Sequence, residues 1–172
     1  MNFDENNKKL NIVSIIVILR LILSPIFFYL IIYDYTIPAI LILLIVIFTD
    51  YLDGFLVKKL NLKPIFSFYL DPVSDFIFIF LSFSAFIIKG IYPVIVLFVL
   101  IFMFIQFVFT SGFENPVYDP VGKYYGIFIF FVIGITLFLE KNNYNIIFIL
   151  IILVSLLSLA SRIIFFNNKK IK

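Results

Sequence analysis

Thr49–Asp75 reads TDYLDGFLVKKLNLKPIFSFYLDPVSD, and the reading of this stretch decides the fold. Four of the chain's ten acidic residues fall here: Asp50, Asp53, Asp71 and Asp75. The sequence on both sides is apolar enough to cross a bilayer. A carboxylate at that depth costs on the order of several kcal/mol unless it is paired, wetted or bound to metal. A bound cation readily explains four of them together.

The spacing supports one shared site. At roughly 100° per residue, Asp50, Asp53 and Gly54 lie on one helical face. Asp71 and Asp75 are one turn apart on another, with Ser67 one turn earlier. Pro64, after the polar run KKLNLK, is expected to break the helix between the pairs, giving a helical hairpin with two carboxylates on each arm. Gly54 leaves room for a ligand or a backbone to come close. The chain contains neither Cys nor His, so ligation by oxygen alone points to a hard cation, Mg²⁺ or Mn²⁺.

This stretch resembles the signature of the CDP-alcohol phosphatidyltransferase family, Asp-x2-Asp-Gly-x2-Ala-Arg-x8-Gly-x3-Asp-x3-Asp. Asp50, Asp53, Gly54, Asp71 and Asp75 match it in identity and spacing; Val57, Lys58 and Ser67 stand where the family has Ala, Arg and Gly. The departures are mild in size or charge and leave the carboxylates intact. The resemblance implies two divalent ions held by Asp50, Asp53, Asp71 and Asp75, with Asp75 also serving as the catalytic base. It further implies a CDP-lipid site that includes Gly54, Lys58 and Ser67. Lys58 would contact nucleotide phosphate without the bidentate fork of Arg. Ser67 would hydrogen-bond ribose or phosphate, or else allow close helix packing.

Composition excludes a soluble domain. The chain is 64% hydrophobic and 13% charged, with a mean hydropathy of +1.21. A soluble domain is close to half apolar and about a quarter charged. The absence of Cys removes disulfides and thiolate chemistry, and the absence of His leaves proton transfer to a carboxylate.

The polar head MNFDENNKK is followed by a long apolar run with no small-residue cleavage site, so no signal peptide is expected. Apolar spans are expected at about 10–33, 37–57, 66–88, 94–110, 124–139 and 144–166. Each suits the ~20 residues a bilayer requires, the fifth being short. With the N-terminus inside, ten of the thirteen basic residues fall on the cytoplasmic side. The expectation is therefore an all-α integral membrane protein, one domain over 1–172, with six transmembrane helices and both termini cytoplasmic. It would lie in the cell membrane as a multi-pass protein, the acidic hairpin opening toward the cytoplasm. Asp50 would then lie roughly 10 Å below the cytoplasmic end of its helix at ~1.5 Å per residue.

Three further cations are candidates for an acceptor phosphate. Arg20 lies mid-span, in ILRLILSP, a segment that resembles the first helix of the phosphatidylglycerophosphate synthase and cardiolipin synthase branch. It would either neutralise phosphate or pair with an intramembrane Asp. Lys123 begins the fifth span and Arg162 lies near the end of the sixth, where each is alternatively a topological anchor. Thr49 is read as a packing residue. Glu114 and Asp119 are read as ordinary acids of a solvated loop, and Asp34 and Glu140 as acids of outer turns.

By this resemblance the chain is expected to be a divalent-metal-dependent phosphotransferase of phospholipid biosynthesis. It would move a phosphatidyl-type group from a CDP-linked lipid to an alcohol and release CMP. A small phosphorylated alcohol, glycerol 3-phosphate first, is the expected acceptor, ahead of inositol phosphate, phosphatidylglycerol and serine. The rivals are a cation carrier and a family member that has lost catalysis. Membrane lipids are expected partners, a homodimer is allowed, and nothing calls for nucleic acid.

Overall fold

The computed structural model describes residues 3–59, 67–111, 119–139 and 144–170, with side chains described at 15, 17–52, 71–111, 119–139 and 144–167. Among the described residues there are six helices and no strand: α1 (Phe3–Ile32), α2 (Thr36–Lys59), α3 (Ser67–Ile88), α4 (Ile95–Ser111), α5 (Gly122–Thr136) and α6 (Tyr144–Lys170). The break expected at Pro64 and the acid Glu114 lie outside the described residues.

Two compact units divide the chain, residues 1–82 and 83–172, and α3 runs through the boundary. In the first unit α1 packs on α2. Among the described side chains, the buried ones of α1 are Val17, Arg20, Ser24, Phe27 and Ile31, and those of α2 are Ala39, Leu43, Val46 and Thr49. Their spacing of three and four makes one stripe on each helix. Phe27 meets Phe78 of α3 with ring centroids 4.8 Å apart, both rings wholly buried. In the second unit α6 packs on α4 and α5. Its stripe runs Ile147, Ile151, Ser155, Ser158 and Arg162. Tyr92 stacks among Phe83, Phe86 and Tyr144, and its hydroxyl bonds Thr136 at 2.7 Å.

Polarity is inverted relative to a soluble protein. Buried stripes carry serines, threonines and two arginines, while Ile37, Phe109 and Phe138 are each more than 70% exposed. Such a surface suits lipid, in which every buried polar group must find a partner within the protein. The hydroxyls do so locally. Ser24 donates to the Arg20 carbonyl, Thr49 to Val46, Ser82 to Phe78, Thr136 to Val132 and Ser155 to Ile151, all at 2.7–2.8 Å.

Among the described residues, Asp71–Ile88 and Tyr144–Asn167 are long and apolar enough to cross a membrane. Val17–Ile32, Thr36–Leu52, Ile95–Ser111 and Gly122–Thr136 are apolar but shorter.

The helix ends depart from the apolar spans. α1 starts at Phe3 within the polar head. α6 continues to Lys170. After α1 and after α3 the chain turns through a left-handed residue, Asp34 (φ 61°) and Gly90 (φ 69°). In both turns the N–H of the next residue reaches back five positions, Tyr35 to the Leu30 carbonyl and Ile91 to that of Phe86, each at 2.9 Å.

Candidate functional site

Within residues 1–82 two acids of the hairpin, Asp50 and Asp75, gather around one cation. Arg20 sits on the buried stripe of α1 with no exposed surface. Its Nη1 donates to Asp75 Oδ1 and, at 3.2 Å, to Ser74 Oγ, both on α3. Its Nη2 lies 3.5 Å from Asp50 Oδ1 on α2. Ser74 in turn donates to the Asp71 carbonyl at 2.9 Å. A single guanidinium thus ties three helices together at the level of the acids. The carboxylates themselves are more open, Asp50 being 56% exposed at its side chain and Asp75 26%.

The helix periods account for this convergence. Thr49 continues the stripe with which α2 faces α1, so Asp50 falls at its edge, half toward Arg20 and half outward. Ser74 is buried one position before Asp75, so α3 aims both at the same guanidinium. Pro72, inside α3, follows Asp71 directly. Arg20 is thus paired with Asp50 and Asp75, and Ser74, which the sequence reading did not single out, joins them. Asp53, Gly54 and Lys58 lie within α2 and Ser67 at the start of α3, but their side chains are outside the described residues.

The donor set suits a hard divalent cation in its chemistry: carboxylate oxygens only, four acids against one arginine. Among the described residues no three acidic side chains by themselves form a ready-made ligand group. Arg20 Nε is a buried donor with no hydrogen-bond partner among the described residues. A donor in that position suits an anionic oxygen, such as that of a phosphate.

The other two candidate cations belong to residues 83–172. Lys123 is exposed in the first turn of α5, its ammonium 4.7 Å from the centroid of the Tyr124 ring. Arg162 is 3% exposed. It donates to Asp119 Oδ1 at 3.2 Å, to Ser111 Oγ at 2.9 Å, to the Phe107 carbonyl at 3.1 Å and to Thr110 Oγ1.

This corrects the reading of Asp119 as an ordinary solvated acid: it is 1% exposed. Burial pushes its carboxyl up, but bonds from the Gly122 N–H, Ser161 and Arg162 outweigh burial and hold it below the usual carboxylate value. The signal lay in the local sequence, an Asp three residues before the first residue of a helix, where its oxygen can accept an otherwise unpaired N–H.

Comparison with known proteins fits this arrangement. Residues 10–160 match the pattern of the family described as CDP-alcohol phosphatidyltransferase. The chain belongs to the CDP-alcohol phosphatidyltransferase family. Among curated members of that similarity is the CDP-diacylglycerol--glycerol-3-phosphate 3-phosphatidyltransferase of Aquifex aeolicus (strain VF5). It is 33% identical over 73 residues, 42% of this chain and 41% of that protein. The enzyme of the same name from Wigglesworthia glossinidia brevipalpis is 39% identical over 70 residues, 39% of this chain and 38% of that protein. A cardiolipin synthase (CMP-forming) / mitochondrial hydrolase fusion protein of Schizosaccharomyces pombe (strain 972 / ATCC 24843) is 43% identical over 56 residues, 33% of this chain and 9% of that protein. The matched stretches thus span about two fifths of the two transferases. No solved structure matches the chain.

For a CDP-alcohol phosphatidyltransferase, the five signature positions Asp50, Asp53, Gly54, Asp71 and Asp75 fall on α2 and α3, whose helices carry both acid pairs. Arg20 stands between two of those acids, on a third helix.

Proposed function

We propose that the chain is a membrane-embedded phosphotransferase of phospholipid biosynthesis that moves a phosphatidyl group from CDP-diacylglycerol or an analogue to an alcohol and releases CMP. The observation that carries this reading is the gathering of Asp50, Ser74 and Asp75 around the buried Arg20, on helices holding all five signature residues. Glycerol 3-phosphate is the proposed acceptor, supported by the names of the Aquifex and Wigglesworthia relatives. Inositol phosphate, phosphatidylglycerol and serine follow in that order as alternative acceptors.

In this reading Asp50, Asp53, Asp71 and Asp75 hold two Mg²⁺ or Mn²⁺ ions. When bound, such ions neutralise the donor pyrophosphate and the leaving CMP. The acceptor hydroxyl oxygen bonds to the phosphatidyl phosphorus as the bond from that phosphorus to the CMP oxygen breaks. The hydroxyl proton passes to the Asp75 carboxylate, which Arg20 holds in a fixed orientation. Lys58 contacts nucleotide phosphate, and Gly54 and Ser67 shape the space for the CDP-lipid. Lys123 meets the acceptor phosphate as an exposed cation. Arg20 and Arg162 are the further candidate contacts for phosphate, each already bonded to a carboxylate of its own chain.

The same reading makes all six helices transmembrane in one domain, with both termini and the acidic hairpin on the cytoplasmic side. The support is the bias of basic residues toward that side. The test is CMP release by the purified chain in proteoliposomes containing CDP-diacylglycerol, against a panel of acceptors. Release with glycerol 3-phosphate is expected. Release with no acceptor of the panel would overturn the reading.

A further inference from the structure

The pair formed by Asp119 and Arg162 is nearly fully buried, and the proposed proton and phosphoryl transfer does not use Asp119. Both oxygens of Asp119 are used. Oδ1 accepts from Arg162, while Oδ2 accepts from the Gly122 N–H at 2.9 Å and from Ser161 at 2.7 Å. The Asp119 carbonyl accepts the Lys123 N–H at 3.2 Å. One residue thus fixes the first turn of α5 through its side chain and its backbone. Arg162 then fastens Asp119 to α6 and to the end of α4, through Phe107, Thr110 and Ser111. Gly122 belongs to the same device: a Cβ there would lie 2.2 Å from Asp119 Oδ1, so any side chain would push the carboxylate away.

A buried ion pair is a weak source of stability, because desolvation offsets much of the attraction. Apolar residues of similar size would hold α4, α5 and α6 together as well. What a charged, multiply bonded carboxylate adds is direction: it fixes the angle at which the first turn of α5 starts. The residue whose direction is set is Lys123, the next after Gly122 and exposed.

We propose that Asp119, held in place by Arg162, is a positioning residue for the phosphorylated acceptor, acting through Lys123. This rests on the reading of Lys123 as the acceptor-phosphate contact. It makes Asp119 a determinant of acceptor affinity without contact to the acceptor.

The test is a double-mutant cycle on the full chain in detergent or proteoliposomes, with Asp119→Asn, Lys123→Ala and the pair. Asp119→Asn should raise the KM for glycerol 3-phosphate about tenfold while leaving the KM for CDP-diacylglycerol within about twofold. In the Lys123→Ala background the same change should add less than about twofold. A merely structural staple would lower thermal stability and multiply both KM values alike in either background, which would overturn the proposal. Should Asp119→Asn not fold, Ser161→Ala, which removes one bond to Asp119 Oδ2 and leaves Arg162 in place, replaces it in the cycle.

A second readout needs no turnover: the rate at which acetic anhydride labels the Lys123 amine, relative to the chain's other lysines, by mass spectrometry. It should change several-fold in Asp119→Asn, and an unchanged rate would sink the proposal. If the wild-type chain releases no CMP with any phosphorylated acceptor while the labelling changes as expected, the acceptor reading fails and the positioning of Lys123 stands.

Discussion

Arg20 and Asp75 meet across 55 positions of sequence, the guanidinium wholly buried and the carboxylate mostly so. Removing one partner of a buried pair leaves a charge without compensation, a loss of about 3–5 kcal/mol in fully buried cases. Asp50 is half exposed and can be screened, so the lower end applies here. Arg20→Gln should lower the thermal midpoint in detergent by several degrees, with Arg20→Lys between the two. Circular dichroism melts would check this, and equal midpoints for all three proteins would remove Arg20 as the cation that ties α1, α2 and α3.

Metal removal gives the second expectation. Turnover should vanish in EDTA and return with Mg²⁺ or Mn²⁺ but not with a monovalent salt. Full turnover in chelator would end the proposed metal requirement.

The acids should separate by role. Asp50→Asn, Asp53→Asn and Asp71→Asn should weaken both metal affinity and turnover. Asp75→Asn should harm turnover at least as much, by about 10²–10⁴-fold for a lost base, while sparing CDP-lipid binding more. Near-normal rates in Asp75→Asn would withdraw its assignment as base.

Tyr92 sets an alkaline limit on stability. Burial pushes its hydroxyl up to about 12 from an ordinary 10.0. The folded state then holds this proton more tightly than the unfolded chain. The contribution is intact below pH ~10 and is lost as pH rises toward 12. Tyr92→Phe should flatten the fall in stability across that window. It should cost about 1 kcal/mol at neutral pH for the lost bond to Thr136. Melts between pH 8 and 12 measure both effects, and parallel profiles for the two proteins would refute the assignment.

The sequence made the helices legible because apolar runs are long and the breaks between them are polar. It located their ends less well. Hydropathy marks where a chain suits lipid, whereas α1 runs from Phe3 through the polar DENNKK and α6 through NNKK to Lys170. The acid spacing was equally plain, since Asp50 and Asp75 sit on helices whose periods are regular. Asp119 was legible only as an acid at a helix start, because its other partner, Arg162, lies 43 positions away and no local pattern links the two. Ser74 was missed for the same reason: its bond to Arg20 spans 54 positions.

The hydroxyls of the buried stripes turn back on their own helices, at Ser24, Thr49, Ser82, Thr136 and Ser155. Among the described residues, polar adhesion along the apolar seams collects at Arg20, at Arg162 and at hydroxyl pairs such as Tyr92–Thr136 and Tyr125–Ser155. Between those points shape governs the seams, and shape tolerates exchange among Phe, Ile, Leu and Val wherever volume is kept. A chain built this way can drift in its apolar lettering without losing register, because a few charged residues act as its fixed points. That freedom is how 25 phenylalanines can accumulate in 172 residues while the spacing of four aspartates stays that of the family signature.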